Sequence, residues 1–599
     1  MGSTYLPYGF DSAGAPLYGM GDRGAMEQLT YDAQNYHVYT VGEARILNVI
    51  DISDPKNAEL VYRLQLPGGA TDVDSCGNYI AVSIHDDPKV LPGTVLIYSM
   101  YDNTKKNMTL LHQIQVICFP YASVVSITVG SLPDMVKFTK DCMTLVTCNE
   151  GEPGLDESGN FVDPEGSASV IAFRSANLGQ ESAPTVRTAS FRKFDSMAEE
   201  YSSRGVRWTL PRIQVGPEVI EFNLSQTLEP EYVAYSSDES KAYIVLQENN
   251  AIAVLDMATA TFDDIYPLGS KYWGTASIDT SSDDGGIVMR DWPIYSIYQP
   301  DSMRTFSHRG RNYILTANEG DGVERAPPNA TASTDELKGA ELTERSLLSP
   351  KLKSQRLRSA LNSTSQLGCA VFSSLDGLDP QNPDKYASLH LFGGRGFSVW
   401  NADDVSLVWD SEDEVERMVA KFYPSIFNSD YDEDVIDSTP AALFDHRSCK
   451  KVFILKVSLF ICKCHNTLHC LSGQRSWYGP ETESLAIGEV GGKTVFFVGN
   501  ERSSTILVYS LADEDIITPV FQSISFSGRL DLTWRQAYQD RVVGDIDPED
   551  MRFVSARDSP TNTPLLLVAG TVSGTVSVYE VMDSDDIISV SPQLFPFGI

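Results

Sequence analysis

Five strand-like segments end on a glutamate: HVYTVGE at Glu43, TLVTCNE at Glu150, YIVLQE at Glu248, YILTANE at Glu319 and VFFVGNE at Glu501. A second acidic series follows proline. PDMVKF carries Asp134, PEYVAY Glu231, PDSMRTF Asp301, PETESLAI Glu481 and PEDMRFV Glu549, and two looser copies, AMEQLTY and ATDVDS, supply Glu27 and Asp72. Carboxylates, with the side-chain amides of Asn149, Asn318 and Asn500 beside three of them, are hard oxygen donors. Crowded together they raise one another's pKa unless a cation intervenes. Such a set suits Ca2+, which takes about 6–8 oxygens at flexible distances. The candidate metal ligands are therefore Glu43, Asp134, Glu150, Glu152, Glu231, Glu248, Asp301, Glu319, Asp321, Glu481, Glu501 and Glu549. A single acid of this kind is expected to brace neighbouring turns by accepting backbone N–H bonds; the set as a whole is expected to hold a cation.

Two columns of acids need a repeating scaffold. In each copy the proline-acid segment alternates like a short strand, a polar turn follows, and the glutamate-ended strand comes next. A third strand often completes the copy, as in GTVLIYSM, AIAVLDMA, STILVYSL and GTVSVYEV. Seven such copies predict an all-β chain, a seven-bladed β-propeller. One four-stranded sheet cannot cover its own two faces, so the repeats must close into a ring. The loop leading into the first strand and the loop leaving the second open on the same end, where both acid columns should converge. We read residues 1–17 as an extension, 18–585 as one propeller domain and 586–599 as a tail. Residues 322–385, rich in charged helix formers and poor in β-branching, are expected as a helical insertion in the fifth blade.

Three other segments stand out. Residues 151–167 form an acidic excursion in the third copy. NSDYDEDVID contributes Asp430, Asp432, Glu433, Asp434 and Asp437, but Val435 and Ala441 occupy positions where an EF-hand needs Gly and Glu, so a solvated loop is expected. Residues 449–478 are basic and Cys-rich. Their Cys462, Cys464, His465, His469 and Cys470 lack standard zinc spacing, and the segment is expected to be a non-native loop that adds nothing to the fold.

With 81 acidic and 46 basic residues in 599, the formal charge is −35, which repels nucleic acid and attracts cations. No apolar run of about 18 residues predicts a membrane span. The first residues lack a secretory signal and SPQLFPFGI is short for a lipid-anchor signal, which suggests truncation at both ends. Sequons at Asn107, Asn223, Asn329 and Asn362 are candidate glycosylation sites. Nucleophile-elbow, zinc-protease, phosphate-loop and dinucleotide motifs are absent, so no catalytic residue and no organic cofactor is assigned. The alternative reading is a calcium-dependent phosphohydrolase, with Arg304, Arg395 and Arg502 as phosphate clamps.

The runs VGEARILNVIDISDP, DPEGSASVI, SSDDGGIVMRDWPIYSIYQPD, TANEGD, FGGRGFSVW, PETESLAIG and VSGTVSVYE together resemble the mesenchyme-specific cell surface glycoproteins, whose choice-of-anchor I domain is shared with bacterial secreted proteins. The resemblance runs from about Tyr18 to Val581. It implies a glycosylated protein of the outer cell surface, held by a lipid anchor, associated with biomineralising cells and with mineral or extracellular matrix as partners. It brings no catalytic mechanism, although bacterial relatives are sometimes labelled phosphatases. Residues 449–478 interrupt what the family pattern runs directly from FDHRS to GPETES.

Overall fold

A computed structural model describes residues 2–112, 127–428 and 479–591, apart from 22–23, 176, 179–183, 282, 329, 331–332, 513–515 and 585–586, together with 436–437 and 439. The fold is all-β, with few and short helices. Among the described residues, seven sheets are antiparallel meanders of four or five strands. We number them 1 to 7 by their first strands: Gln28–Asp32, Ala70–Cys76, Pro133–Phe138, Pro230–Tyr235, Met303–His308, Thr482–Val490 and Pro548–Val554. Each first strand packs on the first strand of the next sheet, and that of sheet 7 packs on that of sheet 1. The ring is closed.

The second strand of sheet 7 is apolar along its whole length because both its faces are covered by neighbouring sheets. Leu565–Gly570 in sheet 7, LLLVAG, is buried throughout. Its side chains alternate between the two neighbours, as the two-residue period of a strand requires. Leu565 and Leu567 join Leu29, Val38 and Ile50 of sheet 1, while Leu566 and Val568 join Phe497 and Val508 of sheet 6. The outer edge of sheet 7 is shared by two strands. Ser3–Tyr5 pairs with residues 575–577 of Thr575–Ser584, and Ile587–Ser591 pairs with residues 580–584.

One irregularity recurs. In sheets 2, 3, 4, 6 and 7 the register between first and second strands slips just after the first residue, at Ala70/Asp72, Pro133/Met135, Pro230/Val233, Thr482/Leu485 and Pro548/Asp550. A bulge leaves a residue unpaired and re-aims its side chain. The residues that follow the first strand position are Thr71, Asp134, Glu231, Glu483 and Glu549. Sheet 6 therefore departs from the sequence reading: Thr482, not Pro480, matches the prolines, and Glu483, not Glu481, matches the acids. Asp301 and Glu27 lie just ahead of their strands and donate their N–H groups to the carbonyls of Ala317 and Val41 at 3.1 and 2.8 Å.

Residues 322–385 include two short helices, Gly339–Glu344 and Gln355–Leu361, and more strand than their composition suggests. Their strands Glu336–Lys338 and Val371–Ser373 belong to a mixed sheet with Ser270–Tyr272, Tyr295–Ile297 and His390–Leu391. Trp273, Trp292, Leu342, Leu361 and Phe372 fill a separate core there. The partner segment, about 270–297, carries no repeat motif. At the ends of the first strands remote from the acids, Cys76 and Cys142 form a disulfide between sheets 2 and 3, with a Cα–Cα distance of 5.5 Å. No helix among the described residues is long and apolar enough to cross a membrane.

Candidate functional site at one end of the ring

The Asn-Glu signature separates into two jobs. Asn149, Asn318 and Asn500 are fully buried at strand ends and point into their own sheets. Asn149 accepts from Thr147 at 2.9 Å and donates to Ser167 and Ser169; Asn318 accepts from Thr316 and donates to Ser398; Asn500 accepts from Thr482 and donates to Thr505. These amides pin the second strand to its neighbours, and they are not oxygen donors beside the acids as the sequence suggested. Of the glutamates that follow, Glu150 lines the cavity described next, and Glu319 and Glu501 join a carboxylate trio.

Glu43, Asp134, Glu150, Glu152, Glu231, Asp301 and Glu549 line one cavity of about 240 Å³, with Glu27, Asp72 and the ammonium-bearing Lys89. Acids from sheets 1, 2, 3, 4, 5 and 7 thus meet in a single space. Glu231 is buried and its Oε2 has no hydrogen-bond partner among the described residues. Burial, then the charges of Glu248, Asp301, Glu150 and Asp134, pushes its carboxyl well above the usual range. Burial and Asp134 do the same to Glu150. Burial raises Asp134 to about 6 against the pull of Lys89, and burial with Asp134 raises Asp301 to about 7. Glu43 is the exception. His85 Nε2 lies 2.9 Å from Glu43 Oε2 and Lys89 Nζ 3.1 Å from Oε1, and the His85 bond chiefly holds this carboxyl down at about 2.

The remaining candidates fall outside that cavity. Glu248 and Asp321 sit beside Glu229, which sequence reasoning missed. Glu229 and Asp163 both hold the buried guanidinium of Arg325, at 2.6 and 2.8 Å. Nearby, Arg207 is buried between Asp335 and Asp376. Arg325, Asp335 and Asp376 belong to the inserted region, so two buried ion-pair clusters fasten it to the ring. Nothing in the local sequence announces them; only the fold brings these residues together.

Two trios of carboxylates place an oxygen from each member within 4.8 Å of the others: Glu319, Glu481 and Glu501, and Glu483, Asp547 and Glu549. In the first, Arg502 pairs with Glu481 and, at 2.7 Å, with Glu501, and Gln247 donates to Glu319 at 2.8 Å. Asp72 illustrates the bracing role: its carboxylate accepts from the N–H groups of Val73 and Val136. The three suggested phosphate clamps are all engaged by acids, Arg304 with Asp550 at 3.2 Å, Arg395 with Glu416 at 2.5 Å, and Arg502 as above. Asn107, Asn223 and Asn362 are exposed. Asn329, Asp430, Asp432, Glu433, Asp434 and residues 449–478 lie outside the described residues; Asp437 pairs with Arg535 at 2.6 Å.

The chain matches the choice-of-anchor I domain over residues 27–452 and 465–514. It belongs to the choice-of-anchor I family. The match breaks off within the basic, Cys-rich segment. The chain is 32% identical over 411 residues to the mesenchyme-specific cell surface glycoprotein of Strongylocentrotus purpuratus, covering 66% of this chain and 46% of that protein. It is 33% identical over 199 residues to gigasin-3a of Magallana gigas, covering 33% of this chain and 59% of that one. The choice-of-anchor I chain thus spans about half the length of these curated relatives. Among solved structures it is similar to Kuenenia stuttgartiensis hydrazine synthase (TM-score 0.39, 8% identity, 96% of this chain and 99% of that one). It is also similar to the Cps50 (Swd1) β-propeller domain of Myceliophteria thermophila (TM-score 0.37, 7% identity, 93% and 96% covered).

Proposed function

We propose that this protein is a seven-bladed β-propeller, with 322–385 inserted in its fifth blade, whose acidic end binds Ca2+ at a mineral or matrix surface outside the cell. The observation that carries the reading is the cavity itself. Acidic residues from six sheets line it, and a buried oxygen of Glu231 has no hydrogen-bond partner among the described residues. Buried like charges are unfavourable, and a divalent cation relieves both the repulsion and the unmet oxygen. Oxygen-only donors of this kind suit Ca2+ better than soft metals. Three further observations support the extracellular setting: the Cys76–Cys142 disulfide, the three exposed sequons, and a relative named as a cell surface glycoprotein.

The test is calorimetric titration of the wild-type protein with Ca2+, paired with thermal unfolding with and without the ion. Extracellular calcium sites commonly bind on the order of 10⁻⁴–10⁻³ M. Calcium at about a hundred times the dissociation constant should add about 2.7 kcal/mol of stability. Absence of both heat and thermal shift at millimolar calcium would overturn the proposal.

A further inference from the structure

Sheet 2 breaks the acid pattern of the ring, and it does so with basic residues. In sheets 3 and 6 the glutamate after the second strand donates its N–H to the carbonyl just ahead of the first strand, Glu150 to Leu132 at 2.8 Å and Glu501 to Glu481 at 2.9 Å. In sheet 2 that place belongs to His85, which donates to Gly69 at 3.1 Å. Lys89 follows on the loop between the strands Tyr79–Ile84 and Pro92–Ser99. Both side chains turn to Glu43 of sheet 1, His85 Nε2 to Oε2 at 2.9 Å and Lys89 Nζ to Oε1 at 3.1 Å. Gly69 makes the approach possible, since a Cβ there would collide with the His85 ring and with Glu43 Oε2. Among the described residues, Lys89 is the one lysine or arginine that lines the acidic cavity. Against the pull of burial, the charges of Glu43, Glu152 and Glu150 raise its ammonium, so it stays a cation at physiological pH. The same cavity is lined by Asp134 and Glu150 of sheet 3 and by Glu231 of sheet 4. Glu231 is 8% exposed, and its Oε2 has no hydrogen-bond partner among the described residues.

We propose that Lys89 is a tethered cation that lowers the calcium affinity of this cavity, and that Asp134, Glu150 and Glu231 are the acids that hold the incoming ion. The proposal rests on the calcium reading above and gives that site its ligands and its brake. The ammonium repels a divalent ion and, by holding Glu43, withdraws one carboxylate from it. A lysine is a compact charge on a flexible stem, so it can yield to an entering ion without any change in the ring. Such a brake lets a site rich in carboxylates respond on the order of 10⁻⁴–10⁻³ M calcium, as extracellular modules do. A cavity of about 240 Å³ leaves room for waters to complete the ion's shell.

The test is calorimetric titration with Ca2+ of the wild-type protein and of K89M, K89Q, K89R, E231Q and E150Q. Each is also melted without the ion, which reports that it is folded. K89M and K89Q are expected to bind calcium about tenfold tighter or more, because the repelling charge is gone and Glu43 regains an oxygen. K89R keeps the charge and is expected to stay within about threefold of wild type. E231Q and E150Q are expected to weaken binding by about tenfold or more, because affinity follows ligand charge count. Two variants of each kind are used so that one poor folder does not remove the comparison. A purely structural Lys89–Glu43 pair would lower the melting temperature of K89M and K89Q without tightening calcium. That outcome, or equal tightening in K89R, overturns the role of Lys89 and leaves the acidic-end reading standing. Wild-type affinity in both E231Q and E150Q overturns the ligand assignment and places the ion elsewhere at the acidic end. No calcium binding by the wild-type protein removes both this inference and the reading beneath it.

Discussion

Asp72 Oδ2 lies 2.8 Å from the backbone nitrogen of Val136, so a carboxylate on the first strand of sheet 2 holds the first strand of sheet 3. Its other oxygen accepts from Val73 at 2.7 Å. Asp550 repeats the arrangement between sheets 7 and 1, accepting from Leu29 at 3.2 Å and Met551 at 2.8 Å. These acids are bolts between sheets rather than ligands. Asp72→Ala strands two buried donors and should cost about 1–3 kcal/mol, whereas Asp72→Asn keeps one acceptor and should cost less. Urea unfolding of the two variants checks the order; equal losses would mean that acceptor geometry is irrelevant.

The buried acids set a pH dependence whose sign can be worked out. Burial raises Asp72 to about 8, Asp134 to about 6, and Asp301 and Glu229 to about 7. In the unfolded chain such groups titrate near about 4. Between those values the folded protein binds more protons than the unfolded one, so stability falls as pH rises from about 4 to about 8. Calcium-free melting temperature should therefore decline from about pH 5 to about pH 8. A rising curve over that interval would contradict the buried, mutually repelling arrangement.

Arg325 is buried between Asp163 and Glu229, and deleting its charge leaves two acids unpaired. Arg325→Met should destabilise by about 3–5 kcal/mol. Adding Asp163→Asn and Glu229→Gln should restore part of that loss, because the cost lies in the stranded charges. Thermal unfolding of the single and triple variants tests it, and a triple variant no better than the single one would place the damage in packing.

Much of this scaffold could be read from the chain because repeats advertise themselves. Six of the seven first strands follow the proline-acid or looser motif in register. In the sixth copy the proline, Pro480, precedes the strand by two residues, which sets Glu481 ahead of the acid column. Aligning on the apolar alternation instead, TESLAI against PEYVAY, puts Glu483 opposite Glu231, so the signal was present in the hydrophobic pattern. The asparagines were legible as a motif but not as clamps, since, Thr147 and Thr316 apart, their hydroxyl partners come from other strands. Arg325, Arg207 and Lys89 were invisible, because each meets its acids only after distant segments pack. Segment 270–297 was missed for the same reason: it pairs in a sheet with residues far along the chain and carries no copy of the repeat.

The recurring bulge has a consequence for charge. It sets one side chain per sheet outside the ladder, so residues on either side keep their partners whatever occupies it. Sheet 2 carries Thr71 at the position where sheets 3, 4, 6 and 7 carry acids. Each such position behaves as an interchangeable socket around a shared vestibule. Exchanges at these positions can then adjust the charge at this end of the ring in unit steps while the frame stays the same.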